Sequence, residues 1–252
     1  MLPLLGAVPD RSDPRDRVRV TAPTPVPDKF SLQAYGPTTP WDQKQVGACT
    51  AYATTAAVQG LFGRLNGAQT WEPAPLGIYY WTRELAGETG IDNGAQLRDV
   101  MKALTQRGIP PLFAHPTKDW RLAPDQRCQD LAAGMRIKEY QRIPVSATAP
   151  QEMCRYLHQE KLPLVVAIQV FDSIYKGPVS FAGEIQMPGL TDTSIGWHAL
   201  MIDSYDTTTQ RFSGWNSWGK QWGWGGRFSL PFEYFQLLFL SADVWSFSPG
   251  YW

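Results

Sequence analysis

The chain has 252 residues, 43% hydrophobic and 13% aromatic: enough apolar material for a sizeable core in one domain or two intimate lobes, and too much for general disorder. Twenty-three Lys and Arg balance 23 Asp and Glu, which removes the electrostatic case for a nucleic-acid partner or an anionic membrane surface. Cys49, Cys128 and Cys154 are odd in number and widely spaced, so they exclude a disulfide framework, and no Cys/His group has zinc-ligand spacing.

The opening "MLPLLGAVPD" has a short apolar run without a basic flank and meets a proline at position 9, a poor match to a signal peptide. No run approaches the length of a membrane span. The chain therefore reads as soluble and disulfide-free, either cytoplasmic or exported without a recognisable signal. The segment "VPDRSDPRDRVRVTAPTPVPDKF" carries five prolines, many charges and no hydrophobic period, which predicts an extended arm running over the surface. From "ACTAYATTAAVQGLFGRL" small and apolar residues surround every turn, the pattern of a central helix buried on nearly all sides. In "AQLRDVMKALTQRGIPP", Leu97, Val100, Met101 and Leu104 have helical spacing, with Gly108 suited to the C-cap and Pro110 barring continuation. "TAPQEMCRYLHQE" predicts another short helix with Met153, Cys154 and Leu157 inward. Strands follow in "LPLVVAIQVF", "WHALMIDSYD", "QRFSGWNSWG" and "GGRFSLPFEYF". Helices first and strands second indicate an α+β fold with two lobes.

Three residues in this frame carry chemistry. Cys49 stands at the head of the buried helix, six residues after Gln43, where a cysteine is either a small core residue or an activated nucleophile. His198 lies inside the apolar stretch "GWHALMI", where a polar ring needs a reason to be. His115, in a loop before proline, and His158, on a helix beside Gln159 and Glu160, are less promising, and His158 is expected to be solvated. Eighteen residues after His198, Asn216 ends the next strand, where an amide can orient the imidazole. Cys128 and Cys154 are expected to be structural, and most of the 11 tryptophans to be core rather than a carbohydrate platform.

The order glutamine, cysteine, histidine, asparagine and tryptophan resembles that of the papain-like cysteine peptidases. Around the nucleophile the family has Gly-Ser-Cys-Trp-Ala-Phe, and this chain has Gly47-Ala48-Cys49-Thr50-Ala51-Tyr52. The family's Asn-Ser-Trp-Gly-x-x-Trp-Gly recurs intact from Asn216 to Gly223, and its Gly-Gly substrate-binding turn is matched by Asn93, Gly94 and Ala95. The Cys-Thr-Ala variant and the opening segment look like the bacterial branch, which carries a short N-terminal extension. Departures are Thr50 for the usual tryptophan, and Val46 and Asp92 at two positions that form a disulfide in secreted members. The resemblance implies a helical lobe (about residues 38–125) and a β-barrel lobe (about 126–240) with the active site in the cleft between them, within a catalytic unit of residues 31–252 preceded by an extension of residues 1–30.

The resemblance also implies roles. Cys49, activated by the helix N-terminus and by His198 to a thiolate that stands at neutral pH, is the nucleophile; Asn216 orients His198, and Trp218 covers that hydrogen bond. Gln43 and the Cys49 backbone N–H bind the oxyanion. Asn93, Gly94 and Ala95 bind the substrate main chain, while Leu97, Ala167, Gly196 and Ala199 line a pocket for a medium apolar side chain. The expected partner is a peptide or protein substrate, with a monomeric enzyme and no metal or cofactor. Two other readings share the pattern: a catalytically silent peptide-binding module, and an acyl transferase using the same thiolate. The arm either gates the cleft or straps the lobes.

Overall fold

Small side chains decide where the helical half begins. A computed structural model describes residues 3–66 and 71–250. The helix α1 (Cys49–Asn66) is buried from Cys49 to Gly63, because alanine, threonine and glycine let neighbours approach on every side. An ideal Cβ at Gly63 would lie 2.7 Å from the Tyr35 carbonyl oxygen, so this approach is closed to any larger residue. Against α1 pack α2 (Pro75–Ala86) and α3 (Leu97–Gln106). Leu97, Val100, Met101 and Leu104 of α3 are fully buried, as their spacing predicts. Gly108 stands one residue beyond the cap at Arg107, with φ of +96°, and its N–H donates to the Ala103 carbonyl.

The strands form one antiparallel sheet. In chain order they are β1 (Lys29–Ser31), β2 (Ile137–Arg142), β3 (Leu164–Phe171), β4 (Ser194–Asp206), β5 (Arg211–Trp215), β6 (Arg227–Pro231) and β7 (Ser241–Pro249). Their order across the sheet is β2-β7-β3-β4-β5-β6, with β1 added to β4. The path ends at β2 and β6 without closing, so the barrel expected of this half is an open sheet. The thirteen-residue β4 links the strands on its two sides, bonding β3 along its first part and β1 and β5 along its last. The helices α4 (Gln126–Ala133), capped by the Asp125 carboxylate on the Cys128 N–H at 2.8 Å, α5 (Ala149–Glu160) and α6 (Gly177–Ala182) lie along the second half. In α5, Met153, Cys154 and Leu157 face inward. His158 is half-buried and edge-on to Phe30 at 5.3 Å rather than solvated, because β1 crosses over that face of the helix.

The arm departs from the expected surface course. Beyond residues 1 and 2, which lie outside the described residues, Gly6 and Ala7 are buried and the chain then runs over α3, β2 and α5. Arg98 of α3 holds Asp16 through two hydrogen bonds of 2.8 and 2.6 Å. Arg142 exchanges backbone bonds with Arg17 and Arg19, and Glu152 accepts from the Thr21 N–H and hydroxyl. No helix among the described residues is long and apolar enough to cross a membrane. Cys49, Cys128 and Cys154 are all buried free thiols.

The sheet encloses one demanding ion pair. Arg227 on β6 reaches across β5 to Asp203 on β4 with two bonds of 2.8 and 2.7 Å, both side chains nearly inaccessible at 7% and 2% exposure. Removing one partner strands the other charge in the core. Arg227→Ala should therefore lower unfolding stability by about 3 to 5 kcal/mol, read as the urea midpoint at unchanged slope. A loss under about 1 kcal/mol would place the pair in the class of screened surface bridges.

Candidate active site

A loop and a turn set the floor of the site. Residues 42–44 turn sharply, with Lys44 at φ of +54° and the Asp42 carboxylate accepting its N–H at 3.0 Å. That turn is stitched to the segment after β5: the Gln43 N–H donates to the Ser217 carbonyl and the Gly219 N–H to the Trp41 carbonyl. Gln43, 1% exposed, is fixed at both ends of its amide. Its Oε1 accepts from the Ser217 hydroxyl at 2.6 Å, and its Nε2 donates to the Val46 carbonyl at 2.9 Å.

Cys49 begins α1 beside β4. Its sulfur is approached by the backbone N–H groups of Ala199, Gly6, Thr50 and Cys49 itself, so it lies next to the residue that follows His198. His198 is completely buried, and its Nε2 is 2.7 Å from Asn216 Oδ1. That oxygen also accepts the Ser217 N–H at 2.7 Å, so it is an acceptor and His198 Nε2 carries the hydrogen. In the neutral ring this leaves Nδ1 with its lone pair, and Nδ1 has no hydrogen-bond partner. Trp218 lies over the imidazole at 4.5 Å between ring centroids, with Tyr175 stacked on Trp218 at 5.2 Å and Trp222 edge-on at 5.3 Å.

Electrostatics describe a sealed state. Burial pushes the Cys49 thiol up to about 11, outweighing the four backbone donors, and burial pulls His198 down to about 4 against the Asn216 hydrogen bond. Both shifts favour neutral thiol and neutral imidazole. The standing thiolate expected from the helix N-terminus is thus absent from this state, because the desolvation cost of a charge in the closed cleft exceeds what the helix end supplies.

The N-terminal arm closes the cleft. The Leu4 carbonyl accepts from Gln43 Nε2 at 2.8 Å, and the Gly6 N–H approaches the Cys49 sulfur. Ala7 bridges Ala95 in parallel register: the Val8 N–H donates to the Ala95 carbonyl at 3.0 Å and the Ala95 N–H to the Gly6 carbonyl at 2.9 Å. The Ala7 N–H donates to the Trp197 carbonyl at 3.3 Å. Gly6 is squeezed between two other glycines. An ideal Cβ on Gly6 would meet the Gly47 oxygen at 1.8 Å, and one on Gly94 would meet the Gly6 oxygen at 2.3 Å. Leu5 rests its side chain against Gly196.

Of the residues expected to bind substrate, Gly94, Ala95 and Gly196 touch the arm, Asn93 is exposed, and Leu97, Ala167 and Ala199 are buried, the last two paired across β3 and β4. Beyond Leu4 a cavity of about 480 Å³ opens between Pro3, Asp42, Tyr175, Phe181, Trp218 and Trp222. A larger groove of about 720 Å³, around Phe30, Tyr205 and Trp224, shares none of the site's residues. Sequence reasoning missed Asp92 as a contact: its carboxylate accepts the Gly47 N–H and the Tyr79 hydroxyl. It also missed α2, although Pro75 at the first turn and Gly87 in the left-handed conformation at the C-cap mark its ends.

No protein-family model matches the chain. It is 28% identical over 210 residues to the uncharacterized peptidase C1-like protein L477 of Acanthamoeba polyphaga mimivirus, covering 81% of this chain and 68% of that one. Its structure is similar to that of xylellain, a cysteine protease from Xylella fastidiosa, with a TM-score of 0.87 and 28% identity over 98% of this chain and 96% of the other. It shares the fold of procathepsin B S9 from Trypanosoma congolense, with a TM-score of 0.75 at 14% identity over 98% of this chain and 86% of that one. With its glutamine-to-tryptophan motif order set on this fold, the chain is similar in sequence and structure to the papain-like cysteine peptidases.

Proposed function

We propose that the protein hydrolyses peptide bonds through Cys49, His198, Asn216 and Gln43, and that the structure is a latent form in which the arm fills the substrate cleft. The observation that carries the reading is the convergence of a helix-head thiol, beside the Ala199 backbone, with a buried imidazole whose Nε2 is bound to Asn216. When water or substrate replaces the arm, His198 Nδ1 takes the thiol proton and the sulfur attacks the scissile carbonyl carbon. The oxyanion accepts from Gln43 Nε2, now on the Leu4 carbonyl, and from the Cys49 N–H, with one such donor worth about 3 kcal/mol in comparable sites. The imidazolium then protonates the leaving amine, and water releases the acyl group by the same steps in reverse order. Asn216 holds the ring's Nε2–H, and Trp218 keeps water from that bond.

Ala95 binds the substrate main chain with Asn93 and Gly94 in its turn, and Leu97, Ala167, Gly196 and Ala199 form the wall for an apolar side chain. The Leu5 contact with Gly196 supports that preference. The arm inhibits with modest intrinsic affinity because its tether gives an effective concentration of about millimolar. Residues 10–21 serve as the strap that makes the tether effective.

Three outcomes test this reading. Cys49→Ala should lose all hydrolysis of a short fluorogenic peptide with leucine two residues before the cut, while its melting temperature stays within about 3 °C; residual turnover above a few per cent would remove Cys49 from the mechanism. Gly6→Leu, which cannot fit between Gly47 and Gly94, should raise kcat/KM on the same peptide by about tenfold or more over the unaltered chain. Equal activities would mean that the arm is a strap alone.

The third outcome concerns pH. Asp10 of the arm accepts from the Trp245 ring N–H at 2.7 Å and from the Arg98 N–H at 3.2 Å, while its own N–H donates to Asp243 at 2.9 Å. Asp16, Arg98 and Arg142 complete the charged surroundings. Burial and the Asp243 carboxylate raise Asp10 to about 7 from the usual 3.8, and burial raises Asp243 as well. The docked arm therefore holds more protons than the free arm between pH 4 and 7. Docking weakens as pH rises through that window, by at most about tenfold per unit, and levels off above 7. The protected Val8 amide should exchange progressively faster with pH relative to the same amide in Asp10→Asn; a ratio flat from pH 4 to 7 would contradict the coupling.

A further inference from the structure

We infer that Asp92 is a positioning residue for the oxyanion site, acting on Gln43 through the single peptide unit between Val46 and Gly47. The inference rests on the hydrolytic reading of the cleft but concerns a residue outside its chemistry. Asp92 accepts the Gly47 N–H with both carboxylate oxygens, at 3.2 and 3.0 Å. The carbonyl of the same peptide unit, on Val46, accepts from Gln43 Nε2 at 2.9 Å. A peptide unit is rigid and planar, so a carboxylate that fixes its N–H also fixes the direction of its C=O. The remaining N–H of the Gln43 amide points at the Leu4 carbonyl at 2.8 Å, where an oxyanion would lie. Asp92 thus sets one end of a chain of bonds whose other end is the oxyanion donor.

Asp92 is itself held. The Tyr79 hydroxyl donates to Oδ1 at 2.6 Å, and burial together with the carboxylate raises that hydroxyl above its ordinary range, so it stays a donor. Arg83, 1% exposed, lies over the Tyr79 ring at 5.3 Å and donates to the carbonyls of Glu88, Ile91 and Gly94. The turn carrying Asp92 is therefore fastened to α2, the same turn that presents Ala95 to the cleft. With Val46 and Asp92 at these positions, the loop before Cys49 and the substrate edge are joined by hydrogen bonds to main chain and not by a covalent bridge. Without Asp92 the Gly47 N–H loses its acceptor and the peptide unit is free to rotate.

The test is a double-mutant cycle in the full chain carrying Gly6→Leu, with rates normalised to the Cys49 thiol titrated by an alkylating probe. Asp92→Ala should lower kcat about tenfold or more with KM within about threefold, since the donor it aims matters most in the transition state. Asp92→Asn keeps an acceptor for Gly47 and should recover to within about threefold. In a Gln43→Ala chain, adding Asp92→Ala should cost less than about twofold more, because the group it positions is already gone. Additive losses, or an Asp92→Asn chain as impaired as Asp92→Ala, would overturn the inference. A crystal structure of Asp92→Ala in the otherwise unaltered chain asks the same question without turnover: a displaced Gln43 amide supports it, and Gln43 still on the Val46 carbonyl overturns it. Absence of hydrolysis in the Gly6→Leu chain itself, with Cys49 titrating normally, counts against the peptidase reading, and the crystal structure then decides the role of Asp92.

Discussion

The hydrogen bond between His198 and Asn216 is the constraint around which the second half of the molecule is arranged. A 2.7 Å contact between two completely or nearly completely buried polar side chains is stable only if each is held so that it has no alternative partner. The register of β4 against β5 brings the two strands to the right place, and the loop after β5 folds back so that the Ser217 N–H shares the same amide oxygen. The turn around Gln43 is tied to that loop, connecting the sheet to the helical half through two backbone bonds and the Ser217 hydroxyl on the Gln43 amide. Trp218, stacked between Tyr175 and the imidazole, closes the assembly from the side of the cavity.

The helical half contributes a different kind of order. α1 is buried nearly all round, and its small residues let the chain before it and the sheet behind it come close. The loop before Cys49 and the turn at Gly94 face each other across a gap wide enough for a bare backbone and no more, and Asp92 and Arg83 brace the two sides with hydrogen bonds. Into that gap the arm inserts main chain, and it meets the gap's edges as main chain does in a sheet, through N–H and carbonyl groups.

Much of this was legible in the sequence, for identifiable reasons. α1 and α3 follow from composition and period, and the inward faces of α3 and α5 follow from spacing, because these helices bury their faces against what precedes or follows them closely. Motif order singled out Cys49, Gln43, His198 and Asn216 where composition alone left each ambiguous, and the fold sets His198 on Asn216, Gln43 on Ser217 and the Cys49 sulfur beside the Ala199 N–H. Long-range geometry was not legible. The sequence left open whether the proline-rich, charged arm gates the cleft or straps the lobes, and it could not say which residues enter, since what accommodates Gly6 is the absence of a side chain and the presence of Gly47 and Gly94 over forty residues away. The open sheet was equally hidden, because pairing of β2 with β7 joins segments about a hundred residues apart. Asp92 was legible only as half of a missing bridge opposite Val46; that its carboxylate holds the neighbouring Gly47 N–H instead was not, because an aspartate in a turn is ordinary.

The backbone character of the arm's seat has a consequence for how such a segment can change over generations. Hydrogen bonds from the Leu4, Gly6, Ala7 and Val8 main chain are indifferent to side-chain identity, and Leu4 and Val8 expose theirs to solvent. Substitution at those two positions is therefore selectively quiet as far as the fit is concerned, and lineages can drift there freely. Gly6 is the exception: any codon change that adds a Cβ meets the Gly47 oxygen. The fragility of the seat is concentrated where bare backbones meet, at Gly6 and at Gly94 opposite it, while the codons of Leu4 and Val8 are left open to variation.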